Sequence, residues 1–247
     1  MMETTIITTE QVEKVEEVKT PKDKATEKRL IANKLAKCNI IMLDECIKDT
    51  SYRDFILSYD KVNKDKDIYL FVSSLGGLAK ISEAICNCIL KHEGQGKIIA
   101  WVPHSTFSAG TQIALCCDKI YATKHTIFGP CDYQIIADTQ QYSSMQIDEM
   151  IEYKKSKNEP INEYYLLAQI RNKKAMGTEK KFVKKICEMR KYNEDIFYEE
   201  FFSGKYNHEH IFSVQELIDL NIGLDITSVE KLPIEHLKEI KGLAKNQ

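Results

Sequence analysis

Residues 68–122 read IYLFVSSLGGLAKISEAICNCILKHEGQGKIIAWVPHSTFSAGTQIALCCDKIYA, and this stretch decides the fold. Three short apolar runs, at 68–72, 97–102 and 119–122, alternate with two stretches whose apolar residues recur at helical spacing. A strand, a turn of small residues and a helix therefore occur twice in succession. Repeated β-α units of this kind predict an α/β architecture with a mainly parallel sheet and flanking helices.

Both turns of small residues follow directly after a predicted strand. The first is Ser73-Ser-Leu-Gly-Gly77, and the second carries Ser108 ahead of Ala109-Gly110. Active sites of parallel α/β folds gather at the carboxyl ends of strands, so the two turns are expected to lie together. Ser108 is then a candidate nucleophile whose small neighbours let a substrate carbonyl approach the helix amides. The alternative is that Ser108 simply caps the helix.

Length and composition restrict the class of protein. The chain has 247 residues, of which 43% are hydrophobic, and this is enough for the core of one large domain. Its formal net charge of -2 gives no basic field for nucleic acid, so no nucleic-acid partner is expected. Neither a secretory signal nor an apolar run of about 18 residues is present, which predicts no membrane span and a cytoplasmic location.

The eight cysteines are better explained as reduced, mostly buried thiols than as a disulfide scaffold or a metal site. They lack paired Cys-x-x-Cys elements at zinc spacing, and several lie in apolar helical stretches. His208-Glu-His210 is a weak alternative metal motif. We expect neither a metal nor a cofactor.

Three segments are distinguished along the chain. Residues 1–28 are rich in Thr, Glu and Lys and predict a flexible charged arm. Residues 29–228 form the predicted α/β domain, in which a charged helical region from 143 to about 198 is broken near 158–160. Residues 229–247 predict a helical tail.

Several of these motifs, taken together, resemble one protein family. The chain is similar to the serine dehydrogenase proteinase (SDH) family of Clp-fold serine peptidases, relatives of signal peptide peptidase A and of the Clp proteolytic subunit. The resemblance covers roughly residues 38–226. It rests on Ser74-Leu-Gly-Gly77, PHSTFSAGTQIAL at 103–115, Asp118-Lys-Ile120, FGPCDYQ at 128–134, NEYYLLAQIRNKK at 162–174 and SGKYNH at 203–208.

This resemblance implies a ClpP/crotonase-like spiral fold, hydrolysis of peptide bonds in peptides or unfolded proteins, and homo-oligomeric assembly. It implies that Ser108 is the nucleophile and that the Gly76-Gly77 turn and Ala109 supply the oxyanion amides. The sequence departs from the family pattern at three positions, where Leu75 and Tyr133 replace proline and Asn207 replaces threonine.

The base is less clearly indicated than the nucleophile. In the Clp subunit a histidine accepts the serine proton, but position 133 here is tyrosine, so a Clp-type triad is not expected. Signal peptide peptidase relatives use a lysine, which must be kept neutral by desolvation or by a neighbouring positive charge. The first choice for a Ser-Lys dyad is Lys155, followed by Lys154 and Lys174. His208 could also reach the site as an accessory residue.

Three functions stay open on the sequence alone. The leading hypothesis is an intracellular serine peptidase. A catalytically inactive Clp-fold assembly or adaptor subunit is the second, motivated by Leu75, Tyr133 and the uncertain base. A crotonase-type acyl-CoA enzyme is the third, since crotonases share the paired oxyanion turns.

Overall fold

A parallel sheet of five strands forms the centre of the computed structural model, which describes residues 26, 33, 35–137 and 140–229. The strand order is β1-β2-β3-β5-β10, and each neighbouring pair runs parallel. Together with its flanking helices, this sheet confirms the α/β class predicted from the repeated units. The five strands are β1 (Ile40–Leu43), β2 (Ile68–Val72), β3 (Ile98–Val102), β5 (Lys119–Ala122) and β10 (Ile226–Ser228).

The central strands form where the sequence predicts them because one or both of their faces are apolar. Along β2 the burial alternates, with Ile68, Leu70 and Val72 fully buried and the two residues between them half-buried. Strand β3 is buried at all five positions, as expected for the middle of a parallel sheet. The inward side chains of these strands pack with the helices into the main core.

Seven helices have both ends within the described residues, and residues 35–37, ahead of β1, are also helical. The charged region that begins at 143 consists of three helices, and the break predicted near 158–160 separates the first two. The seven are α1 (Asp49–Tyr59), α2 (Ala79–Leu90), α3 (Ala109–Leu115), α4 (Ser144–Ser156), α5 (Glu163–Arg190), α6 (Glu194–Phe201) and α7 (Val214–Asp219).

Five short strands were not predicted. Strands β4 (Ser105–Thr106), β6 (Ile127–Phe128) and β9 (Phe212–Ser213) form a small second sheet, in which β4 pairs parallel with β6, and β6 pairs antiparallel with β9. Strands β7 (Gln134–Ala137) and β8 (Gln140–Ser143) form an antiparallel hairpin. Strands of two residues have no periodicity that a sequence could display, which is why the second sheet escaped prediction.

Two of the segments assigned from the sequence lie outside the described residues. These are the arm at 1–28, except for Thr26, and the tail at 229–247, except for Val229. Both stay predictions. All eight cysteines are free thiols. Burial raises the pKa of Cys86 and of Cys117 well above the ordinary thiol value, so these two thiols behave as core residues.

Two glycines predict opposite effects of the same substitution on stability. A Cβ at Gly177, inside α5, would have no heavy atom within 4 Å, whereas a Cβ at Gly77 would lie 2.1 Å from the Ile47 carbonyl oxygen at a φ of +145°. Gly177→Ala should therefore raise the free energy of unfolding by about 0.5 to 1 kcal/mol. Gly77→Ala should lower it by about 2 kcal/mol or more. Chemical denaturation of the two variants beside the wild type checks both signs.

Candidate active site

Ser108 occupies a strained turn at the start of α3. Its backbone has φ 49° and ψ −122°, a left-handed φ that non-glycine residues rarely adopt and that costs on the order of 1 to 3 kcal/mol. Two hydrogen bonds hold it there, because its N–H donates to the Pro130 carbonyl at 3.2 Å and its carbonyl accepts from Gln112 N at 3.0 Å. Its side chain makes no capping hydrogen bond. The hydroxyl of Ser108 is therefore not a helix cap.

The turn at Gly76 packs directly against Ser108. A Cβ built on Gly76 would lie 2.7 Å from Ser108 Cβ and 3.3 Å from Ser108 Oγ, so only glycine fits here without displacing the serine. A backbone hydrogen bond of 2.9 Å from Phe107 N to the Ser74 carbonyl joins the same two segments. The structure thus brings together the two small-residue turns that the sequence singled out.

Two backbone amides beside Ser108 are left without a partner. Among the hydrogen bonds of the described residues, neither Gly77 N–H nor Ala109 N–H donates to any acceptor. The neighbouring amides are occupied, since Gly76 N donates to Ser74 Oγ at 3.2 Å and Ser108 N donates to Pro130. The first amides of a helix point away from its hydrogen-bonded body, so Ala109 can bind an external oxygen.

The Gly76-Gly77 turn keeps its shape without the proline that the family pattern places at position 75. Ser74 Oγ donates to the Glu45 carbonyl at 2.7 Å. Ile47 N donates to the Gly76 carbonyl, and Leu78 N donates to the Ile47 carbonyl, both at 2.8 Å. These bonds fix the turn from three sides, and Leu75 itself is 73% exposed.

A histidine and a buried aspartate form a close pair near the serine turn. His208 Nδ1 lies 2.6 Å from Asp132 Oδ1, and Asp132 is 3% exposed. An ionised carboxylate can only accept hydrogen bonds, so Nδ1 of the imidazole is the donor in this pair, and in the neutral imidazole Nε2 then keeps a free lone pair. Within the described part of the chain, Nε2 has no hydrogen-bond partner. The second oxygen of Asp132 accepts from the Gln134 side-chain amide.

The small second sheet places Ser108, Asp132 and His208 at the same end. Ser108 follows β4 and Asp132 follows the parallel strand β6, whereas His208 precedes the antiparallel strand β9, whose Phe212 pairs with Phe128. Pro130, which accepts the Ser108 amide, is only two residues from Asp132. Two residues span at most about 7 Å, so Asp132 lies within that distance of the residue that holds the serine turn.

Asn207 shapes the loop that presents His208. Its side-chain oxygen accepts from Glu209 N at 3.3 Å, and its carbonyl accepts from His210 N at 2.8 Å. An asparagine turn of this kind is a local device for reversing the chain, and here it takes the position that the family pattern gives to threonine.

Of the three lysines proposed as bases, Lys155 and Lys174 are exposed on helix surfaces and Lys154 is half-buried. Lys155 is 56% exposed and pairs with Glu152 at 2.7 Å, and Lys154 lies 3.8 Å from Glu159. Lys174 is an exposed residue of α5. A carboxylate partner favours the charged ammonium form, whereas a base must be neutral. The described contacts do not connect these lysines with the Ser108 turn, and their role as bases stays a prediction.

A second buried carboxyl group lies beneath the Asp132 loop. Glu179, on the inner face of α5, is 9% exposed, and its carboxyl group lies near the backbone of Tyr133. Burial, together with the charges of Asp132 and Glu83, raises the pKa of Glu179 to about 8. This carboxyl group therefore holds its proton at neutral pH.

Sequence reasoning missed Asp132 and Glu179. Asp132 stands in the motif at 128–134, but a lone aspartate after a turn gives no sign of its histidine partner 76 residues away. Glu179 lies in a helix crowded with charged residues, where no pattern separates a buried glutamate from a solvated one.

The parallel sheet, with a serine turn at the head of a buried helix, places the chain in the ClpP-like α/β class. The chain belongs to the ClpP-like SDH-type serine proteinase family, which it matches over residues 47–240. The resemblance inferred from the sequence motifs is thereby confirmed.

Two curated relatives come from Methanocaldococcus jannaschii, and both are uncharacterised proteins. The first is 30% identical over 172 residues, covering 68% of this chain and 57% of its own length. The second is 29% identical over 172 residues, covering 68% of this chain and 56% of its own length. The chain therefore aligns with little more than half the length of the curated relatives it matches.

Two solved structures with the same fold are forms of the 1510-N membrane-bound stomatin-specific protease. A serine-to-alanine mutant has a TM-score of 0.53 at 16% identity, covering 81% of this chain and 82% of that chain. A lysine-to-alanine mutant in complex with a substrate peptide has a TM-score of 0.53 at 16% identity, covering 78% of this chain and 75% of that chain. Among the residues described here, no helix has the length and apolar character that a membrane crossing requires.

The raised pKa of Glu179 predicts a pH-dependent stability. The carboxyl group has its ordinary pKa of 4.5 in the unfolded chain and about 8 in the folded protein. Between these values the folded state binds more protons, so the free energy of unfolding falls as the pH rises. Since one pKa unit corresponds to about 1.4 kcal/mol, the fall is at most about 5 kcal/mol.

Glu179→Gln should remove this slope, as measured by chemical denaturation at pH values from about 5 to 9. The matched control is Glu188→Gln on the same helix, because Glu188 is 64% exposed. If both variants keep the wild-type slope, Glu179 is not the group responsible.

Proposed function

We propose that the protein is a serine peptidase in which Ser108 is the nucleophile, His208 the base and Asp132 the residue that orients the base. The observation that carries this proposal is the His208–Asp132 pair at 2.6 Å, at the same sheet end as the strained Ser108 turn. Nε2 of His208 accepts the hydroxyl proton while Ser108 Oγ attacks the peptide carbonyl. The same imidazole then gives the proton to the leaving amine, and water hydrolyses the acyl-enzyme.

The oxyanion of the tetrahedral intermediate is assigned to the amides of Gly77 and Ala109. Both N–H groups lack acceptors within the described residues, and they belong to the two turns that meet at Ser108. Donors that are already oriented stabilise developing negative charge without reorganising, which is where acyl-transfer enzymes gain much of their rate. The absence of a side chain on Gly76 lets this turn lie against Ser108, and the absence of one on Gly77 accommodates the Ile47 carbonyl.

The proposed base differs from the lysine favoured by the sequence alone. Imidazole is the side chain most often used for proton transfer near neutral pH, and the imidazole of His208 is oriented by the carboxylate of Asp132, which is 3% exposed. Lys155, exposed on α4, is instead paired with Glu152, and the half-buried Lys154 lies 3.8 Å from Glu159, which follows this helix. A Ser-Lys dyad would require one of these side chains to leave its partner and lose its solvation.

The proposed substrates are peptides or unfolded proteins with apolar side chains near the cleaved bond. Leu75, Leu78 and Tyr133 are exposed large hydrophobic residues that flank the glycine turn and Asp132. Exposed apolar groups beside a nucleophile favour binding of apolar substrate residues. An acyl-CoA substrate has no comparable support in these residues.

The proposal includes homo-oligomeric assembly. Leu166, Leu167 and Ile170 are exposed on one side of α5 at three- and four-residue spacing. Contiguous apolar patches are uncommon on monomeric proteins and indicate interaction surfaces. A second copy of the chain is the proposed occupant of this patch.

The catalytic assignment is tested with a fluorescently labelled unfolded protein as substrate. Ser108→Ala and His208→Gln should each lower kcat by about 1,000-fold or more, because each removes a member of one proton-transfer unit. Asp132→Asn should lower kcat by a similar factor, since it favours the wrong imidazole tautomer.

Lys155→Met and Lys154→Met are the matched comparison. The kcat of each should stay within about twofold of the wild-type value, because neither residue belongs to the proposed proton-transfer unit and ion pairs at the surface contribute little to stability. A loss of activity in a lysine variant, with His208→Gln active, would reinstate the Ser-Lys dyad. Failure of a fluorophosphonate to label Ser108 in the folded wild type would favour the non-catalytic assembly subunit instead.

The assembly is tested by size-exclusion chromatography with light scattering. Leu167→Glu should shift the oligomer towards the 28.5 kDa monomer, because a charge is costly to bury in an apolar interface. Lys181→Glu, at an exposed position of the same helix, is the control and should leave the mass unchanged. A monomeric wild type would contradict the assembly.

A further inference from the structure

A buried hydrogen bond between two side chains joins helices α2 and α3. The Ser82 hydroxyl donates to Gln112 Oε1 at 2.5 Å, and both residues are buried. The Ala79 carbonyl lies 2.9 Å from the same hydroxyl, within the first turn of α2. A second side chain of α2 reaches the same residue of α3, because Cys86 Sγ donates to the Gln112 carbonyl at 3.7 Å. Gln112 therefore receives two polar contacts from α2.

The surroundings of this bond are apolar. Ile85 lies one turn along α2 from Ser82, and Ile113 follows Gln112, and both isoleucines are fully buried members of the main core. A polar group in such surroundings is costly unless it is hydrogen-bonded. Apolar contacts have no preferred direction, whereas a hydrogen bond restricts both distance and angle. The Ser82–Gln112 bond therefore fixes the position of α2 along α3 more sharply than the apolar contacts around it.

The bond lies at equivalent positions of the two helices. Ser82 is the fourth residue of α2, and Gln112 is the fourth residue of α3. Each of them donates its backbone N–H to the carbonyl four residues back, at 3.1 Å in α2 and at 3.0 Å in α3. The acceptor in α2 directly follows Gly77, and the acceptor in α3 directly precedes Ala109. Each partner is thus about one helical turn from one of the two amides assigned to the oxyanion.

The same two segments are also joined ahead of the helices. Phe107 N donates to the Ser74 carbonyl at 2.9 Å. A Cβ built on Gly110 would lie 2.9 Å from Ser74 Cβ, so α3 begins in close contact with that turn. The Ser82–Gln112 bond is a second attachment, one turn into each helix. Two separated attachments fix an orientation that one alone leaves free to rotate.

We propose that Ser82 and Gln112 are positioning residues, whose bond holds the N–H groups of Gly77 and Ala109 at the separation that an oxyanion requires. This role rests on the proposed function of Ser108 as the nucleophile of a peptidase. Neither side chain contacts the reacting atoms in this scheme. Both act through the first turns of α2 and α3, because the donors of an oxyanion hole are effective only when their positions are fixed beforehand.

Three variants separate the bond from the packing around it. Ser82→Ala leaves Gln112 Oε1 buried and unpaired, so the midpoint of chemical denaturation should fall. Gln112→Met keeps the length of the side chain, and the Ser82 hydroxyl keeps the Ala79 carbonyl as its acceptor. The double variant Ser82→Ala/Gln112→Met removes both polar groups, and the last two variants should have midpoints near the wild-type value. The matched control is Ser58→Ala on α1, because the Ser58 hydroxyl donates to the Asp54 carbonyl of its own helix at 3.0 Å.

Kinetics on the labelled unfolded protein give the first readout. In all three variants kcat should fall by about 10- to 100-fold while KM stays within about twofold, because the bond acts on the transition state. Ser58→Ala should have the wild-type kcat. A merely structural role would make kcat follow the denaturation midpoint, so that Gln112→Met and the double variant would keep the wild-type kcat.

A peptide boronic acid gives the second readout and needs no turnover. Ser108 Oγ bonds to boron while its proton passes to Nε2 of His208, and the boron becomes tetrahedral and negatively charged. This adduct imitates the tetrahedral intermediate, so its Kd should rise in the three variants by the factor by which kcat falls. The Kd of the corresponding uncleaved peptide, measured with Ser108→Ala in each background, should change by less than about twofold.

The positioning role is overturned if Gln112→Met or the double variant, with its midpoint near the wild-type value, cleaves the substrate and binds the boronic acid as the wild type does. It is also overturned if the boronic acid and the uncleaved peptide lose affinity equally, because the variants then weaken binding in general. A wild type that neither cleaves nor binds the boronic acid through Ser108 refutes the proposed function and the positioning role together. The behaviour of the wild type therefore distinguishes the two failures.

Discussion

The left-handed turn at Ser108 is the constraint on which the site depends. A serine does not adopt this backbone freely, and it is held by the bond from its N–H to Pro130 and by the close approach of Gly76. The same contacts bring three distant segments together, namely the ends of β2 and β4 and the loop after β6. The turn also directs the serine side chain away from the capping position. Packing of backbone against backbone therefore creates the site before any side-chain chemistry is considered.

The second requirement is a buried charge with enough hydrogen bonds. Asp132 is almost fully buried, and both of its oxygens have partners, from His208 and from Gln134. Burial of a carboxylate is tolerated when its lone pairs are satisfied in this way. Placing Glu179 beside it adds an acid that is neutral near pH 7. Two buried carboxyl groups side by side lower the free energy of unfolding, and such a loss of stability is common where function requires closely placed charges.

The proposed arrangement also explains why departures from the family pattern are tolerated. Leu75 lies in a turn that is fixed by Ser74, Ile47 and Leu78, so a proline is not needed to stiffen it. Asn207 provides its own turn ahead of His208. These two replacements are therefore matched by local hydrogen bonds, and the backbone of Tyr133 lies near the buried carboxyl group of Glu179.

The sequence by itself determined the α/β class, the central strands and the family, because buried strands and small-residue turns leave local patterns over 68–122. It also determined the meeting of Ser108 with Gly76, since carboxyl ends of parallel strands share one edge. Only the tertiary structure decided that His208 pairs with Asp132 and that Glu179 is buried beside them. The two-residue strands of the second sheet and one face of the long helix α5 bring together residues that are tens of positions apart in the sequence. Such contacts have no local signature, so the search for a base near the serine in sequence led to lysines on the surface.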